Sequence, residues 1–137
     1  MPSDKVLKTS MQFSGSATSC SVEGHTPVCV AGLSAMTDSS WSPPHMLVAA
    51  AETCFFLTLQ YVAEKMHLRL LSYSSSAEGV LAAPDGKHTE IAEIIIRPKI
   101  EIEGGADMAK LERLTKSAEE YCLVARSLKS KVKIEIQ

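Results

Sequence analysis

The longest apolar stretch of the chain runs from Met46 to Ala63, with few polar interruptions. Ser42 can cap a helix just before it, and Pro43 fits the first helical position, where no backbone donor is needed. The pattern therefore predicts a helix that continues to about Met66. Because apolar residues occupy most of its circumference, this helix must be buried on most sides. A chain of this size rarely surrounds one helix completely, so we expect a second copy of the protein to cover the rest.

Shorter segments of alternating polarity lie on both sides of this helix and predict strands. A Pro-Asp-Gly turn at residues 84–86 separates two long strands, and Pro98 in the second of them indicates an edge or a bulge. Helical spacing returns near the C-terminus, before a final strand. The predicted strands are residues 5–13, 16–22, 28–32, 68–82, 90–103 and 131–137, and the later helices are residues 107–120 and 122–128. The order predicts an α+β domain whose first three strands form an antiparallel meander.

Composition narrows the classes of function. The 137 residues suit a single domain covering residues 1–137, and fourteen basic against sixteen acidic side chains give a formal charge of −2 without a basic block. We therefore expect no nucleic-acid partner. The N-terminus lacks an apolar signal core, and Glu52, Thr58 and Gln60 argue against a membrane span. These features predict a cytoplasmic protein without a membrane partner, in which the four cysteines do not form structural disulfides.

Cys54 lies in the middle of the apolar helix, where helical geometry places it on one face with Leu47, Ala50, Leu57 and Tyr61. A free cysteine packs well as a small hydrophobic residue, and the residues alone favour that role. A reactive thiolate is the alternative. It would need a nearby cation, because Cys54 is about three turns from the helix start, too far for the helix dipole to lower its pKa.

Cys122 lies where one predicted helix ends and the next begins. Unpaired backbone donors at the start of the second helix could stabilise a thiolate there, and Arg126 follows four residues later on the same face. Glu119 and Glu120 are nearby anions that act against this, so packing and reactivity both remain open for Cys122. Cys20, His25 and Cys29 include types that bind zinc, but their spacing is a poor metal signal and we predict no metal site.

Two segments resemble the OsmC/Ohr family of organic hydroperoxide reductases: SPPHMLVAAAETC, which ends at Cys54, and AEEYCLVARSL, which contains Cys122. The order of elements is also similar over almost the whole chain. The resemblance implies an OsmC-like fold, in which antiparallel sheets pack around a long buried central helix in an intertwined homodimer.

The resemblance also implies a chemistry. Cys54 would attack the peroxide, and Cys122 would condense with the resulting sulfenic acid to form a disulfide. A thiol reductant would then restore both cysteines, without a cofactor. The substrate would be an organic hydroperoxide held in an apolar pocket. The residues expected around that pocket are Ala50, Phe56, Leu57, Tyr61, His45 and Arg126.

The sequence also departs from the family pattern. The glutamate that the hydroperoxide reductases place ten residues before the reactive cysteine is replaced by Pro44, and no arginine precedes Arg69. Those reductases also hold the thiolate with an arginine from the N-terminal region, and the residues that could substitute for it here are Lys5, Lys8, His45 and Arg126. This departure keeps a second function open, that of a non-catalytic dimer which binds a small apolar molecule in its interface pocket.

Overall fold

The computed structural model describes residues 7–13, 18–26, 28–30 and 41–137. Contacts along the backbone divide the chain into two compact units, residues 1–46 and 47–137. Each unit contains its own three-stranded sheet. The prediction of a single domain over residues 1–137 stays a prediction.

The first unit contains the predicted antiparallel meander. Its strands are β1 (Ser10–Phe13), β2 (Thr18–Ser21) and β3 (Val28–Val30), which pair in that order. Between β2 and β3, Gly24 adopts a φ of +82°, and the amide of His25 donates to the carbonyl of Val22. Residues 5–6, 16–17 and 31–32, which the sequence pattern also assigned to these strands, lie outside the described residues.

The apolar segment forms helix α1 (Pro43–Lys65), and both of its ends follow from local chemistry. The predicted cap is confirmed, because the hydroxyl of Ser42 accepts from the backbone N–H of His45 at 3.4 Å. At the other end His67 has a φ of +57°. The amide of Leu68 donates to Ala63 O and that of His67 to Glu64 O, which is the hydrogen-bond pattern of a Schellman motif.

The second unit adds a long antiparallel hairpin, two helices and a last strand. The elements are β4 (Leu70–Ala82), β5 (Glu90–Ile102), α2 (Met108–Tyr121), α3 (Leu123–Ser127) and β6 (Lys131–Ile134). The sheet order is β4-β5-β6, and β6 runs parallel to β5. The expectation of purely antiparallel sheets is therefore wrong for this pair. The helices α2 and α3 form the crossover connection that a parallel pair requires.

Pro98 lies in the central strand β5, where an edge or a bulge was expected. The register shifts of the β4–β5 pair occur elsewhere, near Leu70 and Val80. The carbonyl of Pro98 accepts from the amide of Gln137, which lies beyond the end of β6. Because the nitrogen and carbonyl of a strand residue face the same neighbour, the missing N–H of Pro98 faces this short terminal extension. The missing N–H of Pro98 therefore removes no hydrogen bond between β5 and the residues of β6.

The core of the second unit lies between α1, the inner face of its sheet and α2. It is formed by Ala51, Phe55, Leu59, Val62, Ala63, Ile94, Ile96, Ile102, Leu114, Ala118 and Cys122. The buried residues of α1 form one stripe, while Leu57 and Tyr61 are 63% and 59% exposed. The single chain therefore leaves uncovered a face that the sequence pattern predicted to be buried, and its cover by a second copy stays a prediction.

Among the described residues, α1 is also the one helix long and apolar enough to cross a membrane. Core helices meet the same two criteria, so length and composition are weak evidence for a span. The buried stripe, with Ala51 and Leu59 fully shielded, is what a core helix shows.

A second set of contacts fixes α1 against β4. The ring of Phe56 lies 4.6 Å from that of Tyr73 between centroids, and the carboxylate of Glu52 accepts from the Ser75 hydroxyl at 2.6 Å. This hydrogen bond gives the carboxylate of Glu52 a partner within the chain. Close packing continues at Gly79, where a Cβ atom would lie 2.8 Å from Cγ2 of Val48.

Candidate functional site

Two free thiols come from different parts of the fold. Cys54 lies on α1 beside the buried stripe and is half-buried, whereas Cys122 is 1% exposed at the junction of α2 and α3. The backbone bends at Cys122, because it ends α2 with a φ of −67° and a ψ of 111° and then precedes α3. This bend turns the thiol of Cys122 into the core.

Cys54 packs against the buried cluster that contains Cys122, and its thiol is close enough to influence the pKa of Cys122. Burial raises the pKa of Cys122, and the hydrogen bond and charge of Cys54 raise it further. The backbone N–H groups of Ala125 and Val124 act in the opposite direction. The expected stabilisation of a Cys122 thiolate by donors at the start of α3 is thus present but outweighed by burial.

A cavity of about 170 Å³ lies next to Cys122. It is lined by Phe55 of α1, by Glu119, Cys122, Ala125 and Arg126 around the α2–α3 junction, and by Val132 and Ile134 of β6. Its walls are therefore mainly apolar, with one acidic and one basic side chain that are both exposed to solvent. Burial also raises the pKa of Glu119, while Lys116 lowers it.

Of the six residues predicted to surround a substrate pocket, Arg126 lines this cavity. Phe56 packs on Tyr73, and the ring of Tyr61 lies 5.3 Å from Nζ of Lys65. Leu57 is exposed and Ala50 is half-buried on the same helix. His45 belongs to the first unit, where its Nδ1 lies 2.6 Å from Oγ of Ser42.

The arginines of the second unit differ in the groups that they contact. Arg69 lies 3.7 Å from the carboxylate of Glu103, and Arg97 is held between Glu78 and Glu135 at 2.8 and 3.0 Å. Arg126 donates to the backbone carbonyl of Glu120 at 3.3 Å and also lines the cavity. Of the residues suggested as substitutes for the missing arginine, Arg126 belongs to the second unit and lines the cavity beside Cys122, whereas Lys5 lies outside the described residues.

The sequence pattern missed several cavity residues. Val132 and Ile134 alternate in the last strand, which indicated that they were buried, but their position beside Cys122 depends on the parallel pairing of β6 with β5. That pairing leaves no local signal in the sequence. Within the described part of the chain, no group of three potential metal ligands comes together, and the side chain of Cys29 lies outside that part.

Comparison with known proteins places the chain in a family. The model of the OsmC-like protein family matches residues 36–137, which is most of the chain. The chain belongs to the OsmC-like family. The uncharacterised protein YmaD of Bacillus subtilis is 29% identical over 99 residues, which cover 70% of this chain and 65% of YmaD. The chain thus spans about two thirds of that relative's length.

Solved structures of the OsmC-like fold are similar over nearly the full chain. An OsmC-like protein of unknown function from Vibrio cholerae matches with a TM-score of 0.87 and 19% identity, covering 97% of this chain and 99% of its own. The organic hydroperoxide resistance protein OhrB of Bacillus subtilis matches with a TM-score of 0.74 and 17% identity, covering 97% and 98%. An organic hydroperoxide resistance protein OsmC from Legionella pneumophila gives 0.75 and 17%, covering 98% and 97%. These matches confirm the α+β, OsmC-like fold expected from the sequence.

Proposed function

We propose that this OsmC-like protein reduces organic hydroperoxides with the thiol pair Cys54 and Cys122. The observation that carries the proposal is the proximity of two free thiols, one half-buried and one buried, on separate elements of the core. Family membership and the fold shared with hydroperoxide resistance proteins favour a role in oxidative stress.

The unequal surroundings of the two thiols suit unequal roles. The thiolate of Cys54 attacks one peroxide oxygen, the O–O bond breaks, and the other oxygen leaves as an alcohol after taking up a proton. Cys54 is then a sulfenic acid. The sulfur of Cys122 attacks the sulfur of Cys54, and the hydroxyl leaves as water when a disulfide forms. Burial raises the pKa of Cys122, which disfavours its thiolate and therefore disfavours Cys122 as the group that attacks the peroxide.

The exposed apolar face of α1 supports a bulky substrate and a homodimer. Leu57 and Tyr61 lie on this face beside Cys54 and expose an apolar surface to water in the single chain. A second copy packed there would complete a dry pocket for an alkyl hydroperoxide. A thiol reductant and a cytoplasmic location complete the proposal, since a recycling cysteine pair needs a reducing compartment.

Three serine variants test the assignment of roles. Cys54→Ser should abolish the consumption of cumene hydroperoxide, because a serine hydroxyl is a far poorer nucleophile than a thiolate at neutral pH. Cys122→Ser should retain one turnover and accumulate a sulfenic acid on Cys54, detectable by dimedone labelling and mass spectrometry. Cys20→Ser is the matched control and should behave as the wild type. Equal peroxide consumption by the wild type and Cys54→Ser would refute the proposal.

A non-catalytic, ligand-binding dimer is the second candidate. It is favoured by the absence of an arginine before Arg69 and by the carboxylates that hold Arg69 and Arg97. Such a protein would bind an apolar fluorescent probe saturably and keep all its thiols after treatment with cumene hydroperoxide. Loss of two thiols per chain would instead favour the catalytic pair.

A further inference from the structure

We propose that the cavity beside Cys122 admits the reducing thiol, which attacks Cys122 of the Cys54–Cys122 disulfide and leaves Cys54 as the released thiolate. The inference rests on the proposed redox pair and assigns the direction of its recycling. It also names the class of reductant that fits, a small thiol with a slim apolar stem.

Access is the first reason. Cys122 is almost fully buried, yet it lines a cavity that also borders the exposed side chains Glu119 and Arg126. The cavity therefore connects the sulfur of Cys122 with solvent. Cys54 is absent from the residues that line it. A thiol that enters here meets Cys122.

The second reason is the ease with which each cysteine sulfur leaves the disulfide. In thiol–disulfide exchange, the sulfur that leaves does so faster when its thiol has a lower pKa. Attack on Cys54 would expel Cys122 into surroundings where burial raises its pKa. Attack on Cys122 expels the sulfur of Cys54 first and postpones the departure of the Cys122 thiolate to the second exchange.

The size and charge of the cavity select the thiol. A space of about 170 Å³ walled by Phe55, Ala125, Val132 and Ile134 accepts a short aliphatic chain. Arg126 presents a positive charge at the same cavity and attracts an anionic thiol or thiolate. Glu119, at the same cavity, opposes this attraction when it is ionised.

The exchange balances in two steps. The thiolate RS⁻ attacks the sulfur of Cys122, an RS–S bond forms, and the Cys54–Cys122 bond breaks with its electron pair going to Cys54. A second thiolate then attacks the RS sulfur, which gives RSSR and the Cys122 thiolate, and each cysteine takes up one proton. Two electrons pass from two small thiols to the protein disulfide.

The test uses the full chain with Cys20→Ser and Cys29→Ser, so that Cys54 and Cys122 are its two thiols. The disulfide is formed with diamide, which needs no hydroperoxide activity. It is then reduced briefly with 2-mercaptoethanesulfonate, quenched with N-ethylmaleimide and mapped by mass spectrometry. We expect the mixed disulfide on Cys122 and the maleimide on Cys54 at the earliest times. The reverse labelling, or failure of diamide to link the two cysteines, would overturn the inference.

A charge series tests the part assigned to Arg126. Rates of disulfide reduction are measured with anionic 2-mercaptoethanesulfonate and cationic cysteamine for Arg126→Gln and for the control Arg113→Gln, on the same helical pair but outside the cavity lining. Arg126→Gln should slow the anionic thiol relative to the cationic one by about two- to fivefold, the effect of an exposed ion pair. An unchanged ratio would overturn the charge selection. If diamide links the cysteines but cumene hydroperoxide does not, the proposed function fails while the attacked sulfur is still determined.

Discussion

The packing of α1 on β4 determines where Cys54 lies, and Gly79→Ala tests it. The added Cβ would lie 2.8 Å from Cγ2 of Val48 and 3.5 Å from Cγ2 of Ile91. An ordinary carbon–carbon contact is about 3.5–4.0 Å, so the first contact is too short by about 0.7 Å. Val48 is β-branched and helical, which leaves it essentially one rotamer and no way to turn aside. The helix or the strand must therefore shift.

The expected loss of stability follows from two opposing terms. Overpacking a well-packed site costs about 1–3 kcal/mol. Replacing a glycine by alanine recovers about 0.4–1 kcal/mol, because the unfolded chain becomes less flexible. We therefore expect Gly79→Ala to lower the free energy of unfolding by about 1 kcal/mol, which corresponds to a fall in Tm of about 3–5 °C for a chain of this length.

A double-mutant cycle with Val48→Ala separates the clash from other effects. Removing Cγ2 of Val48 removes the atom that the new Cβ would meet, so Gly79→Ala should be neutral or stabilising in that background. Urea unfolding of the four proteins should give a coupling energy of about 1–2 kcal/mol. A coupling near zero, with equal effects of Gly79→Ala in both backgrounds, would show that α1 does not approach β4 as described.

Three further predictions concern a helix end, a turn and the buried thiol. His67→Gly should stabilise the protein by about 1 kcal/mol in urea unfolding, because a residue with a Cβ at a φ of +57° is strained. Hydrogen bonds from the backbone and side chain of His88 lower the pKa of Asp85 from 3.8 to about 2. The ionised form of Asp85 therefore stabilises the fold above pH 4, and this contribution disappears as the pH falls towards 2. Asp85→Asn should flatten the pH dependence of unfolding in that range, and an unchanged profile would contradict it. In Cys54→Ala, the pKa of Cys122 should fall relative to the wild type, seen as iodoacetamide alkylation that begins at lower pH, whereas no change would mean that the thiols do not interact.

Local chemistry made much of the fold predictable from the sequence. Ser42 and Pro43 mark the start of α1, and Pro84-Asp85-Gly86 marks the turn between β4 and β5, as the structure confirms. The end of α1 was less predictable, since the left-handed residue that closes it is His67 and not a glycine. A pattern of residue types carries no signal for such a conformation.

The arrangement of elements that are distant in the sequence was harder to predict. The parallel pairing of β6 with β5 is set by how α2 and α3 cross the sheet, and the resulting cavity beside Cys122 combines residues from four elements. The proximity of Cys54 and Cys122 was expected from the family resemblance alone, because a separation of 68 residues in the sequence gives no geometric relation between them. Arg126 was noted for its helical spacing from Cys122, which is a local relation and therefore visible in the sequence.

Peptide mapping after one equivalent of cumene hydroperoxide tests the central claim most directly. The protein, fully reduced and handled without oxygen, is treated for a few seconds, blocked with N-ethylmaleimide and digested. The account predicts the loss of two thiols per chain and a disulfide that joins the peptides of Cys54 and Cys122. All four cysteines recovered as maleimide adducts, with the hydroperoxide unconsumed, would contradict the claim that this thiol pair reduces organic hydroperoxides.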